Sequence, residues 1–183
     1  MKRPWLLILI FLLLIALGIV VSIVITKRRE ARINRFEFPT TMVANNYTSH
    51  KYADTISLVI LNKIYQYDTV NLNIYYAPKH LSSDEYDIIG FIQRNPYQPH
   101  SYNIFVKNGT LPISIKRFLS HELIHLLQME MGDLIQIDYT KIVYRGDTIY
   151  FSQVPYDKRM YEIEASLQKN SIQKALNKLL YSK

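Results

Sequence analysis

Residues 121–125 read His-Glu-Leu-Ile-His. Two histidines four positions apart leave a helix from nearly the same face, about 40° apart around its axis, so their ring nitrogens can converge on one metal ion. Glu122 is displaced from His121 by about 100°. Its carboxylate then lies beside the ion rather than on it, where it can take a proton from a water that the metal has acidified. Zinc suits imidazole donors, brings the pKa of such a water towards neutrality and polarises a carbonyl awaiting attack. The competing reading is a helix surface with two solvated histidines. The setting argues against it: Phe118, Leu119, Leu123, Ile124, Leu126 and Leu127 surround the motif. Charged and imidazole groups in so apolar a helix need partners, and a metal supplies one.

A frame must hold these groups still. Pro112 opens a helical stretch that runs to Met131, and Gly132 is placed as its stop. Upstream, residues 52–65 carry Ile56, Val59, Ile60 and Ile64 at helical spacing, and 70–77 alternate as Val70, Leu72, Ile74 and Tyr76, a strand pattern. Residues 86–93 and 102–107 are short β-rich runs, the second closed by Asn108-Gly109. Downstream, 134–144 and 148–154 flank Arg145-Gly146-Asp147, a hairpin signature. Pro155 leads into a last helix over 157–181, with Ala165, Ile172, Leu176 and Leu179 on one stripe. Helix, three strands, helix, hairpin, helix is an α+β order.

The motif and this order together resemble the zincin-type metallopeptidases, and among them the gluzincins, whose third zinc ligand is a glutamate on a later helix, commonly in an E-x-x-A pattern. Here Glu162-Ile163-Glu164-Ala165 stands at the start of the last helix. Helix geometry leaves the choice open, because Glu162 and Glu164 lie about 200° apart and both flank the apolar stripe. The resemblance selects Glu162, three positions before the small Ala165. It further implies a helix, a small sheet, an active-site helix, a hairpin and a closing helix over residues 51–183. It implies a zinc ion held by His121, His125 and Glu162, Glu122 as general base, and a peptide or protein substrate. By analogy with zincins, the strand at 102–107 is expected to pair with an extended substrate. The sequence departs from the pattern twice. Met131 stands where a metzincin would carry a third histidine, and Ser166 stands where many gluzincins carry an aspartate that orients a histidine.

Several other residues are weighed beside these. Tyr144, Tyr150, Tyr156 and Tyr161 are placed to offer a phenol to an oxyanion, although packing is the ordinary role of each. Gln128 could contact the site but reads as polar helix surface, and His50, His80 and His100 read as solvated. Asn46 and Asn108 match the glycosylation acceptor pattern, which matters only in a eukaryotic secretory setting.

Residues 5–26 form an uncharged run of 22. About 20 apolar residues suffice to span a bilayer, whereas a signal-peptide core has about 7–15, so residues 1–26 are expected to be a tail and a retained single-pass anchor in contact with lipid. A cleaved signal is the alternative. Residues 27–50 read as a juxtamembrane linker. Of the net charge of +7, +6 lies in residues 1–35, so the remainder has no cationic excess for a phosphate backbone and nucleic acid is not expected as a partner. Lys27, Arg28, Arg29, Arg32 and Arg35 follow the span while Lys2 and Arg3 precede it, and the positive-inside rule leans towards a cytoplasmic domain. There are no cysteines, which excludes disulfides, thiolate metal sites and cysteine nucleophiles. Two functions fit: a membrane-anchored zinc peptidase, or a membrane-tethered metal-binding or structural protein without turnover.

Overall fold

The computed structural model describes residues 4–77 and 89–181. The order is α1 (Pro4–Ile33), β1 (Met42–Asn46), α2 (Ala53–Val59, continued by a π-helical turn at Ile60–Ile64), β2 (Val70–Tyr76), β3 (Gly90–Arg94), β4 (Ser101–Val106), α3 (Pro112–Glu130), β5 (Leu134–Gln136), β6 (Lys141–Tyr144), β7 (Asp147–Tyr150) and α4 (Met160–Tyr181). The α+β class is as expected. His80 and the first residues of the β-rich run at 86–93 lie outside the described residues.

One sheet has the order β1-β2-β4-β3, with β1, β2 and β4 parallel and β3 antiparallel to β4. Alternation in β2 sends Val70, Leu72 and Ile74 into the core. There they meet Ile56, Val59 and Ile60 from α2 and Leu119, Leu123 and Leu126 from α3, all within one buried cluster. The residues of opposite parity form an asparagine ladder, Asn45 to Asn73 (3.0 Å) and Asn73 to Asn103 (3.3 Å). Beside it, a stack of rings runs from Tyr47, just past β1, through Tyr75, Phe105 and Phe91 of the other three strands in turn. At the β3 edge a Cβ on Gly90 would clash with the Phe105 backbone carbonyl oxygen and lie 2.7 Å from Phe118 Cζ of α3, so only glycine fits there.

The second sheet, β5-β6-β7, is antiparallel throughout. The expected single run at 134–144 is two strands, because Asp138 Oδ1 accepts from the backbone N–H of Thr140 at 2.7 Å and turns the chain. Arg145 and Gly146, at φ 49° and 94°, make the tight turn between β6 and β7. A short 3₁₀ turn, Tyr156–Lys158, precedes α4, which therefore starts at Met160 rather than at 157. Its deepest stripe is Ala165, Ile172, Leu176 and Leu180, with Leu179 only partly buried.

Residues 27–50 are not a linker. Helix α1 continues unbroken to Ile33, whose side chain is 1% exposed in the domain core. Arg32 donates to the Tyr181 carbonyl (3.1 Å) and Arg35 to that of Leu179 (3.0 Å), covering the C-terminal carbonyls of α4. Glu30 pairs with Lys51. The same segment supplies β1, so the folded unit begins well before residue 51. The pattern is quiet here because β1 is five residues with two asparagines, paired to a strand far along the chain. From Ile8 to Ile25 the apolar side chains of α1 are exposed. This is one helix near the N-terminus long and apolar enough to cross a membrane.

Candidate metal centre

Helix α3 presents His121 and His125 towards α4, and the fully buried Ala165 lets the two helices approach closely. Glu162, in the first turn of α4, meets both rings. Its Oε2 lies 2.9 Å from His121 Nε2 and 3.3 Å from His125 Nε2, and the two Nε2 atoms are 3.2 Å apart. A tetrahedral ion with ligand distances of about 2.0–2.1 Å has its ligands about 3.3–3.4 Å from one another. The observed triangle is close to that size. Two imidazole nitrogens and a carboxylate oxygen also form a donor set that zinc takes. Among the described residues this is the one group of three or more His, Cys, Asp or Glu side chains with ligand atoms so convergent.

Glu164 is turned away from the histidines. It accepts from Tyr144 Oη and from Gln128 Nε2 (3.2 Å), and Arg145 lies 3.4 Å from it. Gln128 is only 4% exposed, not the helix-surface residue expected. Its Oε1 is 2.8 Å from His125 Nδ1. With the proton assigned to Nδ1, the ring donates to Gln128 and its Nε2 lone pair points at the triangle. The signal for Gln128 was its place three residues after His125, one turn along the same face. His121 lacks such a partner: its Nδ1 is buried and unpaired among the described residues. Ser166, where the resembled family often has an aspartate, provides no bond to it.

Glu122 is 6% exposed. Burial, with Glu162 nearby, pushes its carboxyl up to about 8, against opposing pulls from His125 and the Ile92 backbone. Glu162 is held well below the usual carboxylate range: burial opposes ionisation, but hydrogen bonds from His121, His125 and Tyr156 outweigh it. Burial lowers His121. It acts the same way on His125, where Glu162 and Glu122 overcome it and raise the ring. Of the four tyrosine candidates, Tyr156 donates to Glu162 Oε2 at 2.6 Å and Tyr161 packs edge-on against His125. Tyr144 reaches Glu164 instead, and Tyr150 is 43% exposed with its ring over Lys141.

Two other expectations change. His50 is buried, with Nε2 unpartnered among the described residues, whereas His100 is exposed as expected, though it pairs with Glu130 at 2.6 Å. The strand at 102–107 is β4, which has both edges taken by β2 and β3, so it has no backbone edge to offer a substrate. The edge strand on the α3 side is β3, and its Ile92 backbone meets Glu122. A cavity of about 400 Å³ opens from the Gly90 end of β3 onto His121, Glu122 and Tyr156. Compared with family models, curated proteins and solved structures, the chain matches none.

Proposed function

We propose that the chain is a membrane-anchored, zinc-dependent peptidase with a zincin-like, gluzincin-type arrangement. The observation that carries the reading is the convergence of His121 Nε2, His125 Nε2 and Glu162 Oε2 beside a buried Glu122 that opens on a cavity. A zinc ion held by those three atoms would supply a Lewis acid that polarises a carbonyl and acidifies water. Glu122, whose carboxylate form a dication held beside it would favour against burial, could then accept a proton from the attacking water and return it to the leaving amine. Tyr156, already a hydrogen-bond donor at the site, can turn its phenol to the oxyanion that develops. The outer edge of β3, unpaired among the described residues, is placed to pair with an extended peptide lying across Glu122. Gln128 holds His125 in register.

The apolar helix α1 would keep the domain at a bilayer, and the charges flanking the span favour the cytoplasmic side. Protease protection in oriented vesicles decides the side, and recovery of a trimmed soluble chain would rule out the anchor. The unpartnered His121 Nδ1 supports a second reading, a tethered metal-binding protein without turnover. The decisive experiment measures zinc content and cleavage of a peptide library by the full-length protein in nanodiscs. Wild type and Glu122→Gln are compared. Metal in both with cleavage only by wild type is the expected result. Metal in both with cleavage by neither selects the second reading.

A further inference from the structure

Helices α3 and α4 run antiparallel, since Lys116 at the start of α3 donates to Tyr181 Oη at the end of α4 (2.7 Å), while His121 meets Glu162. The groove between them therefore continues past the metal-ligand group towards the start of α3, and the residues along it are cationic. Arg117 precedes His121 by one turn, about 40° around α3 and about 6 Å along it. Lys169 follows Glu162 by two turns, about 20° around α4 and about 10 Å along it. Both line the cavity that holds His121 and Glu122. Neither makes a hydrogen bond or an ion pair among the described residues, although Arg117 is exposed and Lys169 half-buried. Burial, together with the positive charge of Arg117, depresses the Lys169 ammonium below its ordinary value, against a weaker opposing pull from Glu162.

The other lining groups sharpen the point. Arg159 adds a third positive charge, but it is committed: its guanidinium donates to the Val154 and Phe151 carbonyls and lies over the Phe151 and Tyr156 rings. It acts as a clamp on the segment that carries Tyr156. Ser166, one turn before Lys169 on the cavity side, leaves the cations unneutralised where an aspartate would have offset one. Glu122 is the one carboxylate among the described lining residues. A cavity next to a reacting centre whose described lining carries two cations without a hydrogen-bonded or ion-paired partner is built to receive an anion from the substrate.

We propose that Arg117 and Lys169 make this cavity a specificity pocket for an anionic group of the substrate, either an Asp or Glu side chain flanking the scissile bond or the free carboxylate of a chain end. The assignment rests on the peptidase reading and names its substrate class. The two sources of the anion share one chemistry and separate by experiment. Zinc-loaded full-length protein in nanodiscs is given peptides with blocked ends that differ only in a Glu, Gln or Lys beside a common scissile bond. A second set has no internal acid and a free or amidated C-terminus. Binding of the same peptides to Glu122→Gln is followed by fluorescence anisotropy, which needs no turnover.

The expected result is a preference of about 10–100-fold for the anionic member of one set, the size of a charge-assisted hydrogen bond. Preference within the first set identifies a side chain, and preference within the second identifies a chain end. The double variant Arg117→Glu/Lys169→Glu, checked for retained zinc, should invert the first preference towards Lys or abolish the second. Cleavage of Glu, Gln and Lys peptides at equal rates overturns the pocket and leaves the peptidase reading intact. A preference that survives the double charge reversal also overturns it. If nothing is cleaved but Glu122→Gln binds the anionic peptides selectively through Arg117 and Lys169, the pocket stands and the peptidase reading falls. Absence of both cleavage and selective binding overturns the pocket as well.

Discussion

Helix α3 carries two clusters of carboxylate, imidazole and phenol, and they differ in how their bonding capacity is used. At its C-terminal end, Glu130 accepts from Tyr102 Oη, Tyr67 Oη and His100 Nδ1. Each donor has one acceptor to satisfy it, and burial is outweighed by these bonds so that the carboxyl titrates low. In the middle of the helix, two imidazole nitrogens and a carboxylate oxygen that already accepts from Tyr156 all point at one another across about 3 Å. Without a metal, protonated rings can each donate to Oε2, which lowers the Glu162 carboxyl, but two N–H groups then face each other at 3.2 Å. A cation at the centre serves all three. The lesson is that residue types alone do not mark a metal site, since both clusters contain them. Donor atoms converging on a space the size of one ion mark a candidate.

The contrast breaks most sharply at the ligands. His121→Ala, His125→Ala or Glu162→Ala should lower zinc affinity by more than the about 100-fold upper range of an outer-partner mutation, measured by chelator competition. Glu130→Gln should leave zinc affinity unaltered. A large loss for Glu164→Ala with little change for Glu162→Ala would reverse the assignment of the third ligand.

Glu122→Gln should retain zinc and lose about 10²–10⁴-fold in turnover. It should also stabilise the metal-free protein. The Glu122 carboxyl rises from 4.5 to about 8 on folding, so the fold favours its neutral form. No penalty exists below the unfolded value of 4.5; it grows as pH rises and is complete above about 8. At roughly 1.4 kcal/mol for each tenfold change in proton affinity, the variant should exceed wild type by a few kcal/mol at pH 8 and by nothing at pH 4. Denaturant melts in chelator at the two pH values test this, and a gap independent of pH would show that Glu122 is not held neutral by burial.

Removing Gln128, the partner of His125 Nδ1, is a smaller perturbation. Gln128→Ala should weaken zinc by about 10–100-fold, while Gln128→Glu, which keeps an acceptor, should recover part of the loss. The smallest effect belongs to the saturated cluster. Glu130→Gln should cost about 1–3 kcal/mol of stability at pH 7 through its hydrogen-bond partners. Because the folded value lies below 4.5, that contribution is present above pH 4.5 and disappears as pH falls through the folded value. Melts of both proteins should differ at pH 7 and draw together as pH is taken progressively below 4.5.

Much of this was legible in the letters. The i,i+4 geometry of His121 and His125 is a local property of any helix, and Pro112 and Gly132 bounded α3 within a residue. The stripe through Ala165, Ile172 and Leu176 likewise marked the face of α4 that is buried. What was missed is long-range. Nothing in residues 42–46 announces a parallel strand whose partner lies across a helix, and the strand at 102–107 was expected to receive a substrate until sheet order enclosed it between β2 and β3. Gln128 and His50 read as polar surface because burial is a property of neighbours.

The third member of the metal group shows where that division falls. Periodicity placed Glu162 and Glu164 symmetrically about the apolar stripe, so the chain by itself determined that one of two acids at the start of α4 could face α3. Packing decided which. Close contact at Ala165 and burial of Ile172, Leu176 and Leu180 set the rotation of α4, which swings Glu162 onto the two histidines and leaves Glu164 with Gln128 and Tyr144. A helix fixes angles between its own residues, and only its partner fixes the angle of the helix.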